Sequence, residues 1–239
     1  MVRKKHLHTQ NTQLVGSKAP FVFVEAYKSL RTNLQFASID KKYKKIIVTS
    51  SIPGEGKSSV AVNMALSLAD SGSRVLLIDC DLRKPAIQRY LHLGNVKGMG
   101  LTNMLSDPQK VQQGIIVLSD SGLNIIVSGP IPPNPAEMLG SEKMNELLTS
   151  LEPNYDYIIL DTPPVTVVTD AAVLSKWSDG VILVVRHKST EIETAQLAKK
   201  TLENVKANII GCVLNDFKAA QSSKPYAYYQ YKNYEYSYK

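Results

Sequence analysis

Lys57 and Ser58 stand directly behind two glycines in the run Thr49-Ser50-Ser51-Ile52-Pro53-Gly54-Glu55-Gly56-Lys57-Ser58-Ser59. A turn holding Gly54 and Gly56 can aim successive backbone N–H groups at phosphate oxygens, and the positive end of a following helix adds to that attraction. Lys57 would then reach the β- and γ-phosphates, and the Ser58 hydroxyl would bind Mg²⁺. The general pattern G-x-x-x-x-G-K-[ST] has Ser51 at its first position here. Strand, loop, Gly-Lys-Ser and helix nevertheless follow in the required order. Pro53, Gly54, Glu55, Gly56, Lys57, Ser58 and Ser59 are therefore the candidate phosphate cradle.

Two more apolar runs end in acids. Leu76-Leu77-Ile78 leads into Asp79-Cys80-Asp81-Leu82-Arg83-Lys84-Pro85, and Ile158-Ile159-Leu160 leads into Asp161-Thr162-Pro163-Pro164. Acids at the ends of buried strands are costly unless something cationic meets them. Either Asp79 or Asp81 alone could cap a helix, but capping does not account for the set. Three carboxylates converging on one phosphate loop repel each other, and a Mg²⁺ ion relieves the repulsion. The pattern reads as a nucleoside-triphosphate site.

The last fourteen residues, YAYYQYKNYEYSYK, hold Tyr226, Tyr228, Tyr229, Tyr231, Tyr234, Tyr236 and Tyr238, seven of the chain's twelve tyrosines. Taken alone, such a strip is low-complexity tail or a stacking surface for single-stranded nucleic acid.

The elements that must position these residues follow from the hydrophobic pattern. Strand-like runs are KIIVTS, RVLLIDCD, LNIIVSG, DYIILDTPP, DGVILVVR and ANIIGCVLN. Between them lie amphipathic segments: SSVAVNMALSLADSG, EMLGSEKMNELLTSL, TDAAVLSKW and TEIETAQLAKKTLENVK. A further helix, EAYKSLRTNLQFA, starts near Glu25. Near-continuous apolar strands alternating with helices predict an α/β fold of the P-loop NTPase type, a mostly parallel sheet with helices on both faces. Ligands bind beyond the strand carboxyl ends in such sheets, where all three motifs fall.

Composition bounds the rest. The 239 residues suit one α/β domain. The net charge of +7 sits in the ends: +4 in residues 1–20 and +3 in residues 218–239, while the body balances 20 basic with 20 acidic side chains. The body offers no excess charge to a polyanion, so no nucleic acid is expected. Basic tails can still touch an anionic membrane surface. The chain divides into a basic N-terminal segment (1–20) expected to be mobile, a catalytic domain (21–217) and a flexible tyrosine-rich tail (218–239). Cys80 and Cys212 make no metal or disulfide spacing and are expected buried or half-buried. No apolar run approaches the ~20 residues of a membrane span, and the start lacks a signal-peptide core. A cytoplasmic location is expected.

SSIPGEGKS, LLIDCDLRKP and LDTPP together resemble the bacterial tyrosine kinases of capsule and exopolysaccharide assembly. SGPIPPNPAEML (Ser128 to Leu139), EAYKSLRTN and the tyrosine tail are similar to further stretches of that family, in the same order. The resemblance implies ATP and Mg²⁺ as cofactors, with Lys57 on the phosphates and Ser58, Asp81 and Asp161 around the ion. Asp79 matches the family's base for the incoming phenol, and the seven tail tyrosines match its acceptors. It implies phosphorylation in trans within a homo-oligomeric ring, built partly by an E-x₂-R-x₂-R motif. Here that motif is Glu25, Lys28 and Arg31, with lysine in place of the middle arginine. A lysine cannot make the planar bidentate pair. The separate Gram-positive arrangement is implied as well, with a membrane activator of the polysaccharide co-polymerase type as another chain and a cognate tyrosine phosphatase. A partitioning or positioning ATPase of the ParA/MinD type is the rival reading, but its extra loop lysine is replaced by Ile52. A non-enzymatic nucleotide-binding module is the other.

Overall fold

The structure is a computed structural model that describes residues 3–5, 13–16, 18–39, 41–94, 96, 99–107 and 111–217. The tyrosine tail lies outside the described residues.

Eight strands form one sheet: β1 (Arg3–Lys5), β2 (Lys45–Ser50), β3 (Val75–Asp79), β4 (Ile116–Leu118), β5 (Asn124–Ile126), β6 (Tyr157–Asp161), β7 (Gly180–Arg186) and β8 (Ile209–Asn215). Their order is β1-β4-β5-β3-β6-β2-β7-β8, and every pair is parallel except the β4–β5 hairpin. Around the sheet lie α1 (Phe21–Ala37), α2 (Lys57–Asp70), α3 (Ile87–Tyr90), α4 (Leu101–Ser106), α5 (Val111–Gly114), α6 (Pro135–Leu139), α7 (Glu142–Leu151), α8 (Asp170–Leu174) and α9 (Ile192–Asn204).

The six strand runs legible in the sequence are β2, β3, β5, β6, β7 and β8. Their side chains alternate between faces, which yields two cores. Ile46, Val48, Leu77, Ile159, Ile182 and Val184 pack under α1 and α2. Ile47, Leu76, Ile78, Ile158, Leu160, Val181 and Leu183 pack under α4, α7, α8 and α9. Because both faces are covered, these strands read as unbroken apolar runs.

Some expectations change. EMLGSEKMNELLTSL is two helices, α6 and α7, divided at Gly140–Ser141, where the Ser141 hydroxyl accepts from the Met144 N–H at 3.3 Å and caps α7. Residues 1–20 read as a segment without elements, yet Arg3–Lys5 pair with Ile116–Leu118. Val15 is buried, and its N–H donates to Asn63 Oδ1 at 2.7 Å. Cys80 is buried as expected, whereas Cys212 is exposed. β8 is an edge strand, and α9 only partly shelters it.

The order β3-β6-β2 makes the three motif-bearing strands neighbours. Register pairs Asp79 with Asp161 and Val48 with Asp161. Both acids thus point to the α2 face, side by side at the strand ends.

Candidate functional site

The loop from Ser50 to Lys57 is built from glycines where the backbone demands them. Gly54 and Gly56 have φ of 87° and 88°, a region that side chains rarely adopt. A Cβ on Gly56 would also stand 2.0 Å from the Asn215 side-chain amide. Ser51 has no such constraint and is not in the left-handed region, which explains how the loop forms without a glycine at the pattern's first position. Helix α2 begins at Lys57 with no side-chain cap. Its first N–H groups are therefore left for a ligand, and the helix dipole favours an anion there.

Lys57 is the site's cation. Its Nζ donates to Asp81 Oδ2 at 2.8 Å and stands 3.7 Å from Asp161 Oδ1 and 3.2 Å from the Ser58 hydroxyl oxygen. The nearby carboxylates outweigh burial and raise its pKa, so the ammonium is charged at neutral pH.

Each of the three acids has a different environment. Asp81 accepts from Lys57 and, through Oδ1, from the Lys84 N–H at 3.0 Å. Asp161 is fully buried, and neither carboxylate oxygen has a hydrogen bond. Burial pushes its pKa up, and Lys57 draws it part of the way back. Asp79 is fully buried too, but its Oδ2 accepts from the Ala86 and Ile87 N–H groups at 3.0 and 3.1 Å, and its Oδ1 from the Asp81 N–H at 3.2 Å. Burial first, then the Asp161 carboxylate, pushes its pKa well above the usual range. Neither acid stands at a helix N-cap, since α3 is capped at Ala86; Asp79 instead holds the turn before α3 through the Ala86 and Ile87 N–H groups. In this conformation Asp79 is closed off from solvent.

The orphaned Asp161 oxygens test the metal expectation. Asp161 has the Lys57 ammonium 3.7 Å away but no hydrogen bond, which is costly for a buried carboxylate, and a divalent cation would offset that cost. Among the described residues no cluster of three or more His, Cys, Asp or Glu forms a preorganised cage. Mg²⁺ is commonly held by one or two carboxylates together with substrate phosphates, and Asp81 and Asp161, both beside Lys57, are two such carboxylates.

The contacts that hold the loop in place, those of Glu55 included, escaped the sequence reading. Glu55 is buried; its Oε2 accepts from the Ile52 N–H at 3.0 Å, and its Oε1 accepts from the Thr190 hydroxyl. Asn215 Nδ2 donates to the Glu55 carbonyl at 2.8 Å, and Arg186 donates to the Gly54 carbonyl at 3.4 Å. The loop is therefore clamped by residues from β7, β8 and the turn before α9. Asn215 ends a strand of the sheet, and a search of every strand terminus would have found it. Arg83 grips the buried Asp170 with two side-chain nitrogens, at 3.0 Å (Nε–Oδ2) and 2.9 Å (Nη2–Oδ1). It thereby ties the turn after β3 to the start of α8.

Glu25, Lys28 and Arg31 fall on α1. Lys28 pairs with Glu25 at 2.7 Å within the helix, while Arg31 donates to the Ser67 carbonyl of α2 at 2.7 Å.

Residues 43–213 match the protein family described as AAA domain. The tyrosine-protein kinase YwqD of Bacillus subtilis (strain 168) is 42% identical over 209 residues, 87% of each chain. The crystal structure of the chimerical protein CapA2B2 superposes with a TM-score of 0.78 at 33% identity, covering 89% of this chain and 96% of that one. The kinase domain of the Escherichia coli tyrosine kinase ETK does so with a TM-score of 0.83 at 31% identity, covering 91% and 85%.

Proposed function

The chain belongs to the bacterial tyrosine kinases, and we propose that it transfers the γ-phosphoryl group of ATP to tyrosine phenols, first of all those of its own tail. The observation that carries this is the strand-end cluster: Lys57 between Asp81 and Asp161, at the uncapped start of α2.

The loop N–H groups and Lys57 hold the triphosphate, Lys57 exchanging its contact with Asp81 for phosphate oxygens. Ser58, Asp81 and Asp161 would hold Mg²⁺, which when bound neutralises charge on the phosphates. An acceptor phenol oxygen forms the new bond to the γ-phosphorus. The bond from that phosphorus to the β–γ bridging oxygen breaks, and ADP leaves with the electron pair. A phenol is neutral at pH 7, with a pKa of about 10, so its proton must go to an acceptor. We assign that role to Asp79, which must be ionised to accept the proton; burial, the main cause of its raised pKa, is relieved when the turn over it opens. Its burial means that the 82–86 turn opens when an acceptor tyrosine enters.

Seven phosphates at about −1.5 to −2 each would carry the tail from +3 to roughly −8 to −11, a reversal large enough to break a contact with an acidic surface. From Asn215 the remaining 24 residues extend up to about 80 Å, so a neighbour's site is within reach. We place the activity in the cytoplasm, in a homo-oligomeric ring contacted through Glu25, Lys28 and Arg31. In this reading a membrane activator of the polysaccharide co-polymerase type recruits it, a tyrosine phosphatase opposes it, and capsule or exopolysaccharide synthesis is what it regulates. The absence, among the described residues, of any helix able to cross a membrane is compatible with recruitment by a separate chain.

A mixing experiment tests the reading. Wild-type chain and a mass-tagged full-length Lys57→Met chain are incubated with Mg²⁺-ATP, and with EDTA as control. Phosphotyrosine on the Lys57→Met chain, lost with EDTA, is the expected result and establishes transfer in trans. Steady ATP turnover without phosphotyrosine would overturn it in favour of the ATPase switch.

A further inference from the structure

We propose that the Arg83–Asp170 ion pair is a latch that holds the 82–86 turn closed over Asp79, and that this pair, outside the phosphate site, sets how readily an acceptor phenol reaches Asp79. The turn is fastened to the two acids of its own strand end and to one point beyond them. The Ala86 and Ile87 N–H groups donate to Asp79 Oδ2 at 3.0 and 3.1 Å, and the Lys84 N–H donates to Asp81 Oδ1 at 3.0 Å. The point beyond is Asp170, gripped by Arg83 Nε and Nη2. Leu82 and Ile87 are buried at the two ends of the turn, whereas Arg83 and Lys84 are exposed between them. The part free to move is therefore short and lies at the surface, with Arg83 as its tie to the body of the fold.

The two partners differ in what opening does to them. The Arg83 side chain is 39% exposed, that of Asp170 not at all. Ala171 and Leu174, beside Asp170 in α8, pack into the core, so this end of the pair stays fixed. When the turn lifts, Arg83 passes into water at little cost. Asp170 is left as a buried charge stripped of its cation, and that stranded charge opposes opening. The two-nitrogen geometry adds direction, because a planar fork fits the carboxylate in only one position of the turn. Asp79 and Asp81 also hold the turn, but both belong to the reacting site; the Arg83 grip can be weakened without touching a reacting group. Arg83 is thus a positioning residue that acts through the turn. An acceptor that binds only the open form has its apparent affinity reduced by the open fraction, whereas a nucleotide indifferent to the turn does not. That consequence rests on the kinase reading; the latch does not.

Two full-length variants test it. Asp170→Asn keeps the shape of the side chain and removes the charge that opening strands. Arg83→Lys keeps the cation and removes the two-nitrogen grip. Hydrogen exchange at the Ala86 and Ile87 amides is followed without nucleotide, with the Ile159 and Leu160 amides of β6 as reference. Both variants should exchange at Ala86 and Ile87 about tenfold faster than wild type, at unchanged reference rates. The peptide YAYYQYKNYEYSYK then serves as acceptor for each chain with Mg²⁺-ATP. Its KM should fall about tenfold in both variants while the Kd for ADP stays at the wild-type value. A pair that only stiffened the fold would not lower that KM. Unchanged exchange at Ala86 and Ile87 would overturn the latch. Faster exchange with an unchanged acceptor KM would overturn its control of acceptor entry. Faster exchange with no transfer to the peptide by any chain, wild type included, would leave the latch standing and overturn the kinase reading.

Discussion

Three buried or nearly buried carboxylates share one ammonium, and this shapes what single substitutions do. Lys57→Met removes the only cation placed against Asp81 and Asp161 by the contacts described, and with it the phosphate contact. Phosphotyrosine formation should become undetectable, as measured by mass spectrometry; residual activity within tenfold of wild type would remove Lys57 from the account. Asp79→Asn keeps an oxygen for the Ala86 and Ile87 N–H groups while removing the proton acceptor. Nucleotide affinity, read by calorimetry, should hold while transfer slows by about 10²–10⁴. Full autokinase rate would sink the base assignment. The same acids set a pH trend. A carboxyl with a raised native pKa leaves the fold most stable while it is protonated in both states, and stability falls as pH climbs through the native value. Asp79 and Asp161 are both raised, chiefly by burial. The nucleotide-free chain should therefore lose thermal stability from about pH 4 upward through their raised values, with a shallower slope in Asp79→Asn. A Tm that rose steadily over that interval would contradict the cause given.

Elements were legible where the pattern was long. Three strand-end motifs led to β2, β3 and β6, because acids and glycines there interrupt apolar runs that could only be buried strands. The pieces that escaped are short or depend on distant partners. β1 is three basic residues with no apolar run, and β4 is the short partner of β5 in a hairpin of which only β5 was legible. Asn215 reaches Glu55 across 160 positions of sequence, a contact no local pattern encodes. The edge position of β8 was equally hidden, since an apolar run reads alike whether the following segment covers it or not, and so Cys212 was expected inside. That clamp makes a prediction for the loop as an element. Gly56→Ala places a Cβ at φ 88° and against Asn215, which costs about 1–3 kcal/mol of backbone strain alone. Nucleotide binding should be lost while the far-UV spectrum is kept. Adding Asn215→Ala removes the clash but not the φ strain, so it should restore binding only in part; complete recovery would mean that the glycine's conformation is irrelevant.

For the whole molecule, the last described strand, β8, ends beside the phosphate loop, where Asn215 meets Glu55. In the single chain Arg31 fastens α1 to α2, so Arg31→Ala should lower the Tm modestly. If α1 also carries the oligomer contact, the same variant should shift sedimentation toward the monomer. An unchanged sedimentation profile would remove Arg31 from the assembly proposal and leave only its role inside the chain. The central claim, that this body phosphorylates its own tail, is tested most directly by intact-mass and peptide mass spectrometry after incubation with Mg²⁺-ATP, with and without activator segments, beside the Lys57→Met chain. Several phosphates confined to Tyr226–Tyr238, with none on the Lys57→Met chain incubated alone, are the expected result; an unmodified tail, despite ATP consumption in every condition, would contradict it.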